Sequence, residues 1–153
     1  MSRRARFRER LEEASLVHVA PRPLAAHLLG RERYVGLTRL LLEVLDGDDV
    51  RGQTSTVTFY QLLAEPYRRG RDEDARRAGD RLEALRGLAA VPVSTALARQ
   101  AARVRARLGG RTERSVQIAT ALDAGADLYV DVDSGLRRIA GMEVVDLEDY
   151  AGG

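Results

Sequence analysis

The stretch Thr112 to Arg138, TERSVQIATALDAGADLYVDVDSGLRR, constrains the fold more than any other part of the chain. Thr112 is placed to N-cap a helix, with Glu113 favourable in the first turn beside the partial positive charge of a helix start. Val116, Ile118, Ala119 and Leu122 make that helix largely apolar, and Gly125 closes it just beyond the last turn. Leu128-Tyr129-Val130 is a short apolar run of β-prone residues and predicts a buried strand. At its carboxyl end stand Asp131 and Asp133, followed by the turn residues Ser134 and Gly135. A helix leading into a buried strand with carboxylates at its tip describes the ligand edge of an open α/β sheet.

The rest of the chain repeats that alternation. Leu16 to Ala20 (LVHVA) is short, mostly apolar and ended by Pro21, which predicts a central parallel strand with His18 hydrogen-bonded in the core. Pro23 suits the first turn of a helix running through Leu24 to Leu29 and closed by Gly30. Tyr34 to Leu45 places Leu37, Leu40, Leu41, Val44 and Leu45 on one helical stripe, and Asp46-Gly47-Asp48-Asp49 stops it. Gln53 to Ser55 reads as a short strand, and Val57 to Tyr67 as a helix. Arg68 to Asp74 (RRGRDED) is a charged turn before a helix over Ala75 to Leu85. Leu88 to Val93 is the next strand, and Ser94 caps a long helix that ends at Gly109-Gly110. Along it Arg99, Arg103 and Arg107 recur every fourth residue and form one basic ridge. Met142 to Leu147 is the last strand, after which an acidic tail through Gly152-Gly153 is expected to fray. Short buried strands alternating with helices predict a three-layer α/β/α sandwich around a central parallel sheet.

These motifs, in this order and spacing, resemble the PIN domain, the fold of VapC-type toxin ribonucleases and related metal-dependent nucleases. The family pattern R-T-x-D-A-x-x-x-A-x-A, then a strand, then T-x-D-x-x-L, is matched at Arg111-Thr112, Ala119, Ala121, and Asp133 with Leu136. The segment T-S-x-x-[TS]-x-x-E-x-L is matched at Thr54, Ser55, Thr58 and Leu63. The resemblance spans Leu16 to Leu147. It implies a site in which three or four carboxylates hold Mg²⁺ or Mn²⁺ to activate water and stabilise charge on a phosphate. At the implied ligand positions, however, the chain departs from the family. The acid after the first strand falls on Ala20, the next on Gln61 and the helix-start aspartate on Arg114. Only Asp133 matches, with Asp131 beside it. Alanine offers no oxygen, glutamine no charge, and the Arg114 guanidinium is a permanent cation whose fork fits a carboxylate. Arg114 is therefore expected to pair with Asp131 or Asp133 in place of a metal.

Two functions follow as expectations. The first is a degenerate PIN-like module without metal or other cofactor, binding RNA or an antitoxin-like protein. The second is an active Mg²⁺- or Mn²⁺-dependent endoribonuclease with a relocated site built from Asp131, Asp133, Glu65 and Glu113. Residues 1–14 stand before the family pattern as an Arg-rich extension with a partly frayed terminus, leaving a single PIN-like domain over 15–150. Arg3, Arg4 and Arg6 of that extension, with Arg22 and Arg114, are the candidate nucleic-acid contacts.

Composition narrows the partners. All 25 basic residues are Arg, although the formal charge is only +2. Guanidinium groups grip phosphate and carboxylate in bidentate fashion, so the surface favours such ligands. The absence of Cys excludes disulfides and thiolate metal sites. No run approaches the ~20 apolar residues of a membrane span and no secretory leader pattern is seen, so a cytoplasmic location is expected. A homodimer is expected too, paired through the apolar helices Tyr34 to Leu45 and Val57 to Tyr67.

Overall fold

Period-two alternation in the strands decides how the layers assemble. Val17 and Val19 of β1 (Leu16–Val19) and Leu128 and Val130 of β4 (Leu128–Asp131) point to one side of the sheet. Leu16 and Tyr129, in the same two strands, pack on the other side. In the computed structural model, which describes residues 1–152, both sides are covered by helices. The first side receives α1 (Arg3–Glu12), α2 (Pro21–Leu29) and α3 (Glu32–Asp46), whose Phe7, Leu11, Leu24, Leu40 and Leu41 form one core. The second receives α6 (Thr95–Leu108) and α7 (Thr112–Asp123), with Ala101, Val104, Ile118 and Ala119 against Tyr129 and Val144.

Among the described residues the sheet has six strands in the order β3-β2-β1-β4-β6-β5. Here β2 is Arg51–Ser55, β3 Leu88–Val91, β5 Arg138–Ile139 and β6 Met142–Asp146. Every neighbouring pair is parallel except β5 with β6, which closes one edge as a short antiparallel hairpin. The three-layer α/β/α architecture expected from the sequence is the one observed, with β1 central. Gly52 and Gly87 allow β2 and β3 to pass close under the end of α3. A Cβ on Gly87 would stand 2.4 Å from the carbonyl oxygen of Leu45.

Several local expectations need correction. Residues 1–14 do not form a frayed arm. Ser2 caps α1 by accepting the Ala5 N–H at 3.0 Å, and Phe7 and Leu11 are both fully buried. The i,i+4 apolar pair was enough to dock this helix, and Arg3 further ties it to the carbonyl of Ala151 at 2.9 Å. The RDED run is not a turn. It opens α5 (Asp72–Glu83), where Arg71–Asp74 and Arg76–Glu73 ion pairs and three acids suit a helix start. After β6 the chain forms a 3₁₀ turn over Leu147–Asp149 with Leu147 buried, so the described part of the tail is ordered; Gly153 lies outside the described residues. Arg111, not Thr112, holds the N-cap position of α7, without a side-chain cap.

Candidate functional site

Because β1, β2, β4 and β6 run parallel, their carboxyl ends and the following helix starts meet on one edge. There lies a cleft of about 500 Å³. Its walls come from the start of α2 (Pro21, Arg22), from Gln61 on α4 (Val57–Arg68), from the start of α7 (Arg111, Glu113, Arg114, Gln117) and from the loop after β4 (Asp131, Asp133, Ser134). Gln61, Arg114, Asp131, Asp133 and Glu113, singled out far apart in the sequence, thus share one cavity. Two expected members do not. Ala20 is the N-cap of α2, buried under the cleft beside its lining residues Pro21 and Arg22. Glu65 lies one turn beyond Gln61 but faces away, paired with Arg68 and Arg69. Arg3, Arg4 and Arg6 sit on α1, and Arg3 and Arg4 border a separate open depression with α3 and the chain end.

The expected salt bridge is absent as well. Among the described residues no ion pair joins Arg114 to Asp131 or Asp133; its guanidinium donates instead to the Ser134 carbonyl at 3.4 Å. Arg22 likewise donates to the Val132 carbonyl at 2.9 Å. Both cations are spent on holding the β4 loop, and their charges reach Asp131 from a distance.

Asp131 is therefore an under-compensated acid. Burial is the main cause that pushes its carboxyl up to about 6. Asp146, its register partner on β6, adds to the rise. The Val132 N–H, donated to Asp131 at 2.8 Å, and the two guanidiniums only partly offset it. Asp146 was not singled out from sequence. One of its oxygens accepts the N–H groups of both Asp133 and Glu148, at 3.0 and 2.9 Å, and so shapes the turn. Asp133 itself has φ of 51°, a left-handed conformation that Asp tolerates better than most residues.

Behind the cleft runs a buried network with a single hydrogen-bond polarity. Gln53 donates to His18 Nδ1 at 3.0 Å, so His18 Nε2 carries the proton and donates to Gln117 Oε1 at 2.8 Å. Gln117 Nε2 then donates twice, to Thr58 Oγ1 at 2.7 Å and to Gln61 Oε1 at 3.1 Å. Thr54 gives its hydroxyl proton to the Val19 carbonyl, so Thr58 must donate to Thr54. Burial holds His18 down to about 4, which keeps it neutral, and its ring stacks on Tyr129, its register partner on β4. His18 is thus the core-bonded histidine expected. Gln53 and Gln117 escaped notice because an amide carries no acid–base signature.

The donor set does not fit a divalent cation. Mg²⁺ and Mn²⁺ ask for oxygen ligands with carboxylates carrying most of the charge. Here Gln61 Oε1 already accepts a hydrogen bond from Gln117, Ala20 has no donor, and Arg22 and Arg114 flank the two aspartates. Among the described residues no three His, Cys, Asp or Glu side chains are grouped so as to hold a metal ion.

A mostly parallel α/β/α sheet with a polar cleft at its carboxyl edge defines an α/β domain that meets its ligand at the strand tips. The profile of the PIN domain matches residues 24–142, and the chain belongs to the PIN domain family. No curated protein matches it. Among solved structures it is similar to VapBC2 from Rickettsia felis, bound to a DNA fragment from their promoter, at 12% identity and a TM-score of 0.66. That match covers 86% of this chain and 98% of the other. It is also similar to VapC20 from Mycobacterium tuberculosis, a sarcin-ricin loop cleaving toxin, at 18% identity and a TM-score of 0.58, covering 74% of this chain and 86% of the other. At such identities the likeness is one of fold. No helix among the described residues is long and apolar enough to cross a membrane.

Proposed function

We propose that the chain is a PIN-fold binding module in which metal-dependent hydrolysis has been lost and the cleft serves recognition. The observation that carries this reading is the composition of the cleft: three guanidiniums, of Arg22, Arg111 and Arg114, stand among Asp131, Asp133 and Glu113. A cation placed there would meet fixed positive charge, a buried carboxyl that resists ionisation and a neutral amide already engaged. The ligand proposed is RNA, or an antitoxin-like protein of the kind that accompanies VapC-type toxins; the fold likeness to the VapBC2 and VapC20 structures supports that context. The module is proposed to act in the cytoplasm, as a homodimer, without Mg²⁺ or Mn²⁺.

Incubation with structured and single-stranded RNA at millimolar Mn²⁺ tests the reading. Intact RNA after prolonged incubation is the expected result. Cleavage that disappears in Asp133→Asn would replace this account with the relocated nuclease, whose acids would then be Asp131, Asp133 and Glu113 without Glu65.

A further inference from the structure

Charge is segregated along this chain in a way the net value of +2 hides. Residues 84–112 contain six arginines and not one Asp or Glu. On α4 and α5, by contrast, Arg68, Arg69, Arg71, Arg76 and Arg77 all pair with acids three or four residues away. On α6 the exposed Arg99, Arg103 and Arg107 form no ion pair among the described residues. A spacing of four residues sets them ~6 Å apart along one helix face. Beyond the end of α6 at Leu108 the next arginine in the sequence is Arg111, which lines the cleft, and Arg114 follows one turn later. Arg114 lies against Gly110, whose carbonyl is held by Arg105 at 3.2 Å, so the turn between ridge and cleft is fixed.

Beside the ridge runs a groove of about 590 Å³, lined by Ala96, Gln100, Val104 and Leu122 together with the same three arginines. A mainly apolar lining beside a single row of cations suits a strand whose bases are unpaired. A duplex hides its bases and presents two rows of phosphates. At the end of the row, Gln61, Gln117, Asp131 and Ser134 supply both donors and acceptors, which base edges and ribose hydroxyls can use.

We infer that α6 is a phosphate-binding track that leads one strand of RNA into the cleft. The inference rests on the module reading above, and it names both the partner and the path. Its occupant is a single-stranded RNA backbone, recognised by charge along Arg99, Arg103, Arg107 and Arg111 and by hydrogen bonding at the strand tips.

Fluorescence anisotropy with a labelled oligouridine measures this on the full chain. Two variants of equal charge are compared, Arg99→Gln/Arg103→Gln/Arg107→Gln on the track and Arg68→Gln/Arg69→Gln/Arg76→Gln on the paired face. The track variant is expected to bind about tenfold more weakly and to lower the slope of log affinity against log salt by about 2, as three lost phosphate contacts on a single strand require. The paired-face variant should bind like the wild type. Equal losses in both variants would overturn the track, because net charge alone would then explain binding. Wild-type protein that ignores the oligonucleotide and binds polyglutamate instead would overturn it in favour of an acidic protein partner. RNA that binds along the track and is then cut in Mn²⁺ would leave the track standing and remove the non-hydrolytic reading.

Discussion

The two faces of the central strands differ in kind. Toward α1, α2 and α3 the sheet presents Val17, Val19, Leu128 and Val130, and the space is filled by Phe7, Leu11, Leu40 and Leu41. Toward α7, the alternate positions carry His18 and Gln53, bonded to Gln117, which reaches on to Thr58 at the start of α4 and through it to Thr54. The first face is held by removing apolar surface from water, a non-directional force that tolerates neighbours of similar shape. The second adds to the apolar contacts of Ile118 and Ala119 with Tyr129 a set of directional bonds among uncharged groups, each of which leaves an unpaired atom if its partner goes. The polar face abuts the cleft, and the residues implied as carboxylates by the family resemblance are there replaced by amide, alanine and guanidinium.

Truncation on the apolar face should have the largest effect. Phe7→Ala removes a fully buried ring, seated 5.1 Å from that of Tyr150, and should cost about 3–5 kcal/mol in urea unfolding. A much smaller loss would return α1 to the status of a loose extension.

On the polar face Gln117→Leu should cost about 1–3 kcal/mol, mainly because the His18 Nε2–H loses its acceptor. Combining it with His18→Phe, which removes the orphaned donor, should recover part of that loss. A double variant no better than the single one would mean that packing, and not hydrogen bonding, holds this face.

The pH response sharpens the contrast further. His18 titrates near 4 in the folded chain and near 6.5 when unfolded, so the unfolded state takes up its proton first. Stability from His18 is complete above pH 6.5 and falls toward pH 4, by about 3 kcal/mol in all. Asp131 works the other way. Its folded value is near 6 against 3.8 unfolded, so the folded state binds the proton first and gains stability as pH falls from 6 to 4. Asp131→Asn removes that gain. The variant should stand above the wild type at pH 7, and the gap should close by about 1 kcal/mol toward pH 4, after allowance for the partial exposure of Asp131. A gap independent of pH would show that Asp131 ionises as an ordinary carboxylate.

Much of this architecture was legible in the residues, for physical reasons. The strand β1, the leucine stripe of α3, the Ser94 cap of α6 and the Gly125 stop of α7 each declare themselves within a few positions. The start of α5 did not, because its stabilising groups are charges that read as a solvated turn until i,i+3 pairing is considered. Nor did α1, whose two apolar residues acquire their weight only when the core is assembled. Gathering of Gln61, Arg114, Asp131 and Asp133 followed from register in a parallel sheet, which sequence order implies. The partners of Arg114 did not follow. A guanidinium near two carboxylates can equally satisfy backbone carbonyls, and the loop after β4 offers Ser134. Glu65, a site member only in the relocated-nuclease reading, stays outside the cleft for a related reason, since Arg68 and Arg69 on its own helix claim it first.

The most direct test of the central claim is calorimetric titration of Mn²⁺ into the wild type and into Ala20→Asp/Gln61→Glu/Arg114→Asp. An Asp at position 20 occupies the uncapped N-cap of α2, where the Arg22 N–H is the donor its carboxylate can accept from. The wild type should give flat heats at millimolar Mn²⁺, and the triple variant a saturable binding curve, because acids then replace the guanidinium and the neutral groups. Stoichiometric Mn²⁺ binding by the wild type, abolished in Asp133→Asn, would contradict the account.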